Sequence, residues 1–354
     1  MIFIQSSGYV FYLNYISSLG FGYSLVPRRP GSAASEAEAW RASAAAFGSP
    51  GATDPEPRHH GVVINEVLSH SDAPLEDAIE LFNPGESAID IGGWYLSDSR
   101  DDAASLRKYR IPEGVILAGG SYHVIYENSF HRGEELPGSF ALDSSGDELF
   151  LSSADAATGE LTGYITGIRF DALDPGVSWG RLQTSTGVDY GALRERSFGE
   201  DTPASLEQFR SGGGAENSGH LDSHVVISEI HYHPDRQSDE FIELYNPLGR
   251  AVSLFDEDSG RGWRLRGLSR PGGEPGFELP PGASIPARGF VVLSSIDPSL
   301  FRQLNGTPGQ VPVYGPYGGA LDNGGEALRL VRPAPPEAGE EPAWVLVDRV
   351  RYSD

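Results

Sequence analysis

The chain has 354 residues, a length that predicts two domains, and its 45 glycines and 26 prolines favour short strands and turns over long helices. It contains no cysteine, which excludes disulfides, thiolate catalysis and cysteine-ligated zinc. Its formal net charge of -24 argues against binding to the phosphate backbone of nucleic acids.

Residues 1–58 are predicted to be a disordered N-terminal segment and linker. The first charged residue is Arg28, and the stretch before it mixes apolar, aromatic and polar residues. This stretch lacks the basic start and compact apolar run of a signal peptide, and its polar residues make a poor membrane span. An export signal or anchor, a disordered tail and a misplaced start codon all remain open, and membrane association would depend on this segment alone.

A long internal repeat organises the rest of the chain. The stretch IELFNP at 79–84 returns as IELYNP at 242–247, and the same offset relates VVINEVLSHSD at 62–72 to VVISEIHYHPD at 225–235. Four further blocks recur in the same order: 92–98 with 260–267, 109–125 with 277–293, 141–151 with 320–330, and 165–170 with 347–352. Repetition over this distance indicates two copies of one structural unit.

Each repeated block predicts a strand or a strand with a turn. SYHVIYE and GFVVLSS are short, β-branched and aromatic, and DNGGEALRLVR is a turn followed by alternating apolar and polar residues. No stretch of the first copy sustains the spacing of an amphipathic helix. The sequence therefore predicts an all-β chain with two sandwich or barrel domains, 61–182 and 224–354. Residues 183–223 are predicted to be a linker that includes a post-domain extension, with a flexible hinge at 211–219.

The order of these motifs resembles that of the lamin tail domain family. Both copies carry V-V-I-x-E, IEL(F/Y)N, W-x-L, P-x-G and L-D-x-x-G-(D/E)-x-L-x-L in the same order. The first copy continues into DPGVSWGR at 174–181, which is typical of the bacterial members. The resemblance implies two immunoglobulin-like β-sandwiches in tandem, of the bacterial type, and no general catalytic residues.

The repeated hexapeptide fits a scaffold role. In each copy two apolar side chains point to one face of a strand. The Asn-Pro that follows ends the strand, because proline lacks an N–H and asparagine readily forms side-chain turns. A tryptophan two residues before a leucine is expected to fill each core. The predicted core residues are Trp94, Trp263, Ile79, Leu81, Ile242 and Leu244.

Recurring acidic residues and histidines suggest a metal site as a second interpretation. Glu80 and Glu243 lie between apolar positions, so they face the other side of the strand, toward solvent or an arginine. With residues from the preceding strand and loop, they could place carboxylates and an imidazole around one ion such as Ca2+. The candidate ligands are Glu66, His70, Asp72 and Glu80 in the first copy and Glu229, His233, Asp235 and Glu243 in the second. In the alternative, these residues cap backbone groups and begin loops, and no cofactor is bound.

Charge separates the two copies. Residues 61–182 contain 21 acidic and 7 basic side chains, and residues 224–354 contain 18 and 12, so the first copy is the better candidate for binding cations. The second copy has a local cluster formed by Arg261, Arg264, Arg266 and Arg270. This cluster could contact an acidic partner surface, including that of the first copy, or form a solvated loop.

The sequence contains no nucleophile elbow, HExxH motif or calcium-binding loop. It therefore predicts non-catalytic binding or spacer modules of a larger, exported bacterial protein, located outside the cell or at its surface. The expected partners are other proteins or cell-surface material, and no nucleic acid. The alternative is a calcium- or other metal-dependent accessory module of an extracellular hydrolase.

Overall fold

The computed structural model describes residues 5–6, 9–10, 23–27, 40–46, 48–54, 61–133, 136–184, 187–221, 225–234, 240–268, 276–334 and 343–353. The chain divides into two compact units, Met1–Leu221 and Asp222–Asp354. Both consist of short, mostly antiparallel strands, which confirms the prediction of an all-β chain. Within the residues described, no helix reaches the length and apolar character that a bilayer crossing requires.

The described parts of the N-terminal segment form two antiparallel strand pairs. These strands are β1 (Gln5–Ser6) with β2 (Tyr9–Val10), and β3 (Tyr23–Pro27) with β4 (Trp40–Ala46). Most of the rest of the segment predicted to be disordered lies outside the described residues.

The body of the first unit is built from two antiparallel sheets. Its strands are β5 (Val63–Leu68), β6 (Ala78–Phe82), β7 (Ile89–Asp90), β8 (Tyr95–Ser97), β9 (Tyr109–Arg110), β10 (Ile116–Leu117), β11 (Tyr122–Tyr126), β12 (Gly146–Ala154), β13 (Leu161–Asp171), β14 (Trp179–Thr184) and β15 (Gly187–Ala192). Its short helices are α1 (Glu127–Phe130) and α2 (Leu206–Arg210). One sheet has the order β11-β6-β5-β14-β15, the other β13-β12-β8-β9, and β7 pairs with β10.

The second unit repeats this plan. Its strands are β16 (Val226–His231), β17 (Phe241–Tyr245), β18 (Val252–Ser253), β19 (Phe255–Asp256), β20 (Arg261–Gly262), β21 (Arg264–Arg266), β22 (Phe277–Glu278), β23 (Ser284–Ile285), β24 (Phe290–Ser294), β25 (Val313–Tyr314), β26 (Gly325–Pro333) and β27 (Trp344–Ser353), with helix α3 (Pro298–Asn305). The two larger sheets have the orders β16-β17-β24-β25 and β22-β21-β26-β27, and the short pairs are β18-β23 and β19-β20.

Each unit has a buried core of alternating apolar side chains. The six predicted core residues, two tryptophans and four aliphatic residues, are all buried. In the second unit one cluster combines side chains from both sheets: Ile242, Leu244, Val291 and Leu293 from one, Leu265, Leu328 and Leu330 from the other, together with Trp263. Two sheets that share one apolar layer form a β-sandwich.

The asparagine of the repeated hexapeptide ends its strand in the way the sequence predicts. Asn83 and Asn246 are fully buried. The side-chain oxygen of Asn83 accepts a hydrogen bond from Gly85 N at 3.0 Å, and that of Asn246 accepts one from Leu248 N at 2.9 Å. Both side-chain nitrogens donate to backbone carbonyls of nearby turns. The carboxamide therefore replaces the backbone partners that are lost where the strand stops.

The linker predicted over 183–223 is instead part of the first unit up to Leu221. Strand β15 pairs with β14, and Phe198 and Phe209 pack in a buried cluster with Leu68 and Tyr126. We call residues 194–221, which follow β15, the extension. The run rich in glycine and serine was expected to be a flexible hinge on composition alone, whereas its side chains and backbone are bound to the sheet and to the rest of the extension.

Close packing explains two glycines of the predicted hinge at 211–219. A Cβ at Gly212 would lie 2.0 Å from the carbonyl oxygen of Phe198. A Cβ at Gly214 would lie 2.5 Å from Glu80 Oε2, and Gly214 has a φ of +85°. Glycine is required at these positions because the backbone passes directly against another part of the extension at Gly212 and against the sheet at Gly214.

Candidate functional site

The first candidate site is a pair of carboxylates on neighbouring strands of the first unit. Glu66 of β5 lies directly opposite Glu80 of β6, and both side chains are 0% exposed. Glu80 alternates with the core residues Ile79 and Leu81, so it points to the opposite face of its sheet. The expectation that Glu80 meets solvent or an arginine is wrong, because the extension covers this face.

Glu66 is held by hydroxyl and backbone donors from two distant parts of the chain. Its Oε1 accepts a hydrogen bond from the hydroxyl of Ser178, just before β14. Its Oε2 accepts from Ser197 N at 3.0 Å and from the Ser197 hydroxyl. Burying an ionisable carboxyl is costly unless donors replace its water. The donors from Ser178 and Ser197 supply this replacement.

Glu80 and two asparagines continue the same network. The Nδ2 of Asn65 donates to Glu80 Oε1 at 2.6 Å and to Asn217 Oδ1 at 2.6 Å. Glu80 Oε2 accepts from Ala215 N at 3.2 Å. The Nδ2 of Asn217 donates to the carbonyls of Asn65 and Arg181 at 3.0 and 2.8 Å. The network therefore joins β5, β6 and β14 to the extension.

Burial changes the protonation of both carboxyls. It raises the pKa of Glu80 to about 8, an effect that the Asn65 hydrogen bond opposes and the neighbouring Glu66 reinforces. Burial also raises the pKa of Glu66, whereas hydrogen bonds from Ser178 and Ser197 and the charge of Arg196 act in the opposite direction. At neutral pH the Glu80 carboxyl is therefore mostly protonated, which relieves the repulsion between two adjacent acids.

The candidate metal ligands of the first unit do not converge. His70 is half-buried, with Nδ1 3.2 Å from the carbonyl oxygen of Leu173, and Asp72 is exposed. Glu66 and Glu80 are sealed beneath the extension. Among the residues that the structure describes, no group of three or more His, Asp and Glu side chains is arranged to hold a metal ion.

The matching residues of the second unit are more open. Glu229 lies opposite Glu243 across β16 and β17, which is the register of Glu66 and Glu80. Glu229 and His233 are exposed, and Glu243 is half-buried with its Oε1 accepting from the Ser228 hydroxyl at 2.8 Å. Asp235 lies outside the described residues. The two units therefore share the register of these acids but not their burial.

A second candidate site is a row of arginines across the second unit. Arg266 of β21 lies directly opposite Arg329 of β26, which lies directly opposite Arg349 of β27. Residues opposite one another on adjacent strands share a face of the sheet. Leu265 and Leu330, the next pair along these strands, are fully buried, so the row of arginines faces away from the core.

Further side chains extend this row into a patch. Arg264 and Arg351 each lie two residues from a member of the row, and therefore on the same face. The guanidinium carbons of Arg264 and Arg266 lie 4.0 and 5.3 Å from the ring centre of Trp344. We call this patch the arginine face: Arg264, Arg266, Arg329, Arg349, Arg351 and Trp344.

Glu278 pairs with arginines at the edge of the arginine face. Arg264 Nη2 lies 2.6 Å from Glu278 Oε2 on β22, and Arg261 Nη1 lies 3.9 Å from the same oxygen. Of the four arginines clustered in the sequence, Arg264 and Arg266 belong to the face, Arg261 lies beside it, and Arg270 is outside the described residues.

Both sites contain residues that the sequence did not predict. Ser178, Ser197 and Asn217 were missed because their contacts with β5 span more than 100 residues of sequence. Arg329 and Arg349 were missed although each stands between two apolar residues of a predicted strand, or beside one, in ALRLVR and DRVRY. Only the pairing of the strands brings these arginines beside Arg266.

Comparison with known proteins finds a family match within the first unit. Residues 55–166 match the family model described as Lamin Tail Domain. No curated protein and no solved structure matches the chain. The match covers strands β5 to β12 and part of β13, which carry the repeated motifs of the first copy. Residues 55–166 therefore belong to the lamin tail domain family, whose members are immunoglobulin-like domains, a class consistent with binding or spacer modules.

Proposed function

We propose that the chain supplies non-catalytic binding or spacer modules to a larger, exported bacterial protein. The observation that carries this proposal is the complete burial of Glu66 and Glu80 beneath the extension. Carboxyl groups that are 0% exposed and hydrogen-bonded to protein donors stabilise a scaffold and do not meet a substrate. The recognition surfaces of such a scaffold are its sheet faces and loops.

The proposed setting outside the cell rests on the resemblance of both copies to bacterial lamin tail domains. The excess of acidic residues, 50 against 26 basic ones, supports a soluble module that contacts proteins or cell-surface material in preference to nucleic acid. In this proposal the module acts without a cofactor.

A comparison of matched variants tests the scaffold role of the carboxylates. We expect Glu66→Gln to lower the melting temperature of the first unit, because a buried donor of Ser178 or Ser197 loses its carboxyl acceptor. A buried donor left without a partner costs about 1–3 kcal/mol. Glu229→Gln is the control: it changes the matching residue of the second unit, which is exposed, and should leave both melting transitions unchanged. Differential scanning calorimetry of the full chain measures both.

The same measurement distinguishes a scaffold from a calcium- or other metal-dependent accessory module. A bound ion stabilises the folded state in proportion to the logarithm of its concentration. The proposal predicts that millimolar Ca2+ or Zn2+ leaves both melting temperatures unchanged. A rise that continues with the logarithm of ion concentration and that Glu66→Gln or Glu229→Gln removes would contradict it and establish metal binding.

A further inference from the structure

We propose that the outer edge of strand β16, in the second unit, binds a β-strand of another protein in the way that β5 of the first unit binds β14. The bound strand carries serine hydroxyls that reach the acids of β16 and β17, and an arginine that lies over an aromatic ring of β17. This inference rests on the proposed function as a binding module and states how a partner is bound.

Strand β5 shows how this edge is occupied in the first unit. Strand β14 pairs with β5 at Glu66 and Val67, and β15 continues the sheet beyond β14. The matching residues of β16 are Glu229 and Ile230. Among the strands that the structure describes, β16 is the outermost on its side of the sheet. An edge strand of this kind is a template for one more strand, which adds to the sheet through backbone hydrogen bonds.

The burial of the two matching strands differs in the same way. In β5 every residue from Ile64 to Leu68 is buried, whereas in β16 the matching residues Ile227 to His231 are half-buried or exposed. Glu229 is exposed although its match in β5 is completely buried. The surface that β14 and the extension cover in the first unit is therefore open to solvent in the second.

The features that commonly protect an edge strand do not prevent pairing at this position. Bulges and charged side chains both discourage the addition of a strand, and β16 has a bulge between Ile227 and Glu229. Strand β5 has the same bulge and the acid Glu66, yet it pairs with β14. Asp348 of β27 accepts a hydrogen bond from Ile227 N at 2.7 Å. This contact lies before Glu229, where pairing of the β14 type begins.

The acids of the second unit favour a strand with hydroxyl donors. Glu229 matches Glu66 in sequence and lies opposite Glu243, in the register that Glu66 has in the first unit. The donors to Glu66 come from Ser178, just before β14, and from Ser197, after β15. Because the side chain of Glu229 is exposed, its oxygens are open to the same donors from a bound strand.

Two aromatic rings beside these acids favour an arginine in the bound strand. Tyr245 and Phe290 lie opposite each other with ring centres 4.8 Å apart, and Phe290 is 39% exposed. Their matches in the first unit, Phe82 and Tyr122, stack at 4.6 Å. There, the guanidinium carbon of Arg181 from β14 lies 5.9 Å from the ring centre of Phe82. A strand bound to β16 in the same way places an arginine over Tyr245.

Helix α3 limits how much of the first unit's cover the second unit accepts. Phe301 of α3 packs against Phe241 of β17, with ring centres 5.5 Å apart. The match of Phe241 is Ala78, which packs with Phe198 and Phe209 of the extension. Helix α3 therefore covers the part of the face that the aromatic residues of the extension cover in the first unit. The acids and the edge beside them stay open, so the partner needs a strand or hairpin and no helix.

Binding of the chain's own hairpin to the full chain tests the proposal. The probe is a labelled synthetic peptide of residues 177–197, which supplies β14, β15 and both serines. The control peptide carries Ser178→Ala and Ser197→Ala. We expect the first peptide to bind and the control to bind at least tenfold more weakly, because both hydroxyl donors are lost. Fluorescence anisotropy measures each affinity.

A matched pair of variants tests the role of the acid. Glu229→Gln should weaken binding of the peptide by roughly tenfold, because the bound serines lose a charged acceptor. Glu257→Gln changes an exposed acid in the turn between β19 and β20 and should alter the affinity by less than about twofold. Calorimetry of both variants without peptide verifies that the second unit remains folded.

Hydrogen exchange locates the bound peptide. Added backbone hydrogen bonds should slow the exchange of amides in β16. Exchange in β5 should stay unchanged, because the first unit already holds its own β14. Slower exchange in β5 in place of β16 would overturn the inference, since the peptide would then replace β14 in the first unit.

Three further results would overturn the inference: absence of binding, equal binding of the two peptides, or equal weakening by the two variants. Self-association of the full chain that Glu229→Gln abolishes in sedimentation would also overturn it, by identifying a second copy as the occupant. None of these results alters the effects of metal ions and Glu66→Gln on melting, so the proposed function succeeds or fails separately.

Discussion

At the scale of single residues, the chemistry of Glu66 and Glu80 depends on what covers them. Two adjacent carboxyls removed from water would repel each other and lose solvation. The extension replaces that water with donors from Ser197 and Ala215. The buried carboxyl groups of Glu66 and Glu80 therefore hold the extension against the sheet.

Protonation of Glu80 should make the stability of the first unit depend on pH. Its pKa is about 8 in the folded state and near 4.5 in an unfolded chain, so the folded state holds an additional proton between these values. The resulting stabilisation is complete below about pH 4.5 and is lost as the pH rises through 8. Its upper bound, from about 1.4 kcal/mol per pKa unit, is on the order of 5 kcal/mol.

Replacement of Glu80 by Gln isolates this contribution. The pKa values of Glu66 and Asp77 are also raised by burial, that of Asp77 to about 6, so the wild-type profile combines several groups. We expect Glu80→Gln to reduce the loss of stability between pH 5 and pH 9, as measured by calorimetry. Glu243→Gln, at the half-buried matching position, should leave the profile unchanged. Identical profiles for Glu80→Gln and the wild type would contradict a protonated Glu80.

The sequence predicts the structural environment of some residues of the repeated hexapeptide but not of others. Ile79, Leu81 and Asn83 follow local rules, because strand periodicity and turn chemistry act over a few residues. Glu80 obeys the same periodicity, yet its surroundings depend on Asn65 and Ala215, which come from another strand and from the extension. Local patterns determine which face a side chain occupies but not what covers that face.

At the scale of structural elements, the extension is held by aromatic packing as well as by the polar network. Phe209 of α2 lies edge-on to Tyr126 of β11 and to Phe198, with ring centres 5.3 and 6.1 Å apart. Arg210, the next residue, forms an ion pair with Glu76. Burial of two phenylalanines contributes about 1.5–3 kcal/mol for each ring, more than the neighbouring ion pair.

Truncation of Phe209 should release the extension from the sheet while the rest of the first unit stays folded. Phe209→Ala leaves a cavity beside Phe198 and should cost about 3–5 kcal/mol. We expect hydrogen exchange to accelerate most in residues 194–221, because this segment loses its main apolar contact while β12 and β13 keep theirs. Val188→Ala, at an exposed position of β15, is the control and should cost less than about 1 kcal/mol. Uniform acceleration across the first unit would show that the extension does not open separately.

The arginine face shows what strand pairing adds to a sequence pattern. ALRLVR and DRVRY each indicate a strand with arginine on its polar side. Their alignment into one row depends on which strands are neighbours and on the register, and Arg349 follows Arg329 by twenty residues of sequence. The individual strands were therefore predictable, whereas the patch was not.

At the scale of the whole molecule, two copies of one sandwich carry different surfaces. Each copy has a β-bulge at the same place, between Ile64 and Glu66 in β5 and between Ile227 and Glu229 in β16. Strand β5 lies inside its sheet because β14 pairs with it, whereas β16 lies at the edge of its sheet among the described strands. The repeated motifs predict the shared framework, and the differences arise in segments that do not repeat.

The position of Leu221 at the end of the first unit predicts where the chain can be divided. A fragment 1–221 keeps β15, the aromatic cluster and every donor to Glu66 and Glu80. A fragment 1–182 follows the boundary expected from the repeat, but it removes Phe198, Phe209 and Ser197. The loss of two buried rings costs about 3–5 kcal/mol each, and a buried carboxyl without its donors adds about 1–3 kcal/mol. Their sum is comparable to the entire stability of a typical domain, about 5–15 kcal/mol.

We therefore expect fragment 1–221 to melt cooperatively near the transition of the first unit in the full chain, and fragment 1–182 to be largely unfolded at 25 °C. Circular dichroism and calorimetry measure both. A synthetic peptide of residues 183–221 added to fragment 1–182 should restore a cooperative transition, because the missing contacts are supplied by one continuous segment. Equal melting temperatures for the two fragments would mean that 61–182 is a complete sandwich and that the extension contributes little to its stability. Failure of both fragments to fold would instead mean that the first unit requires residues beyond Leu221.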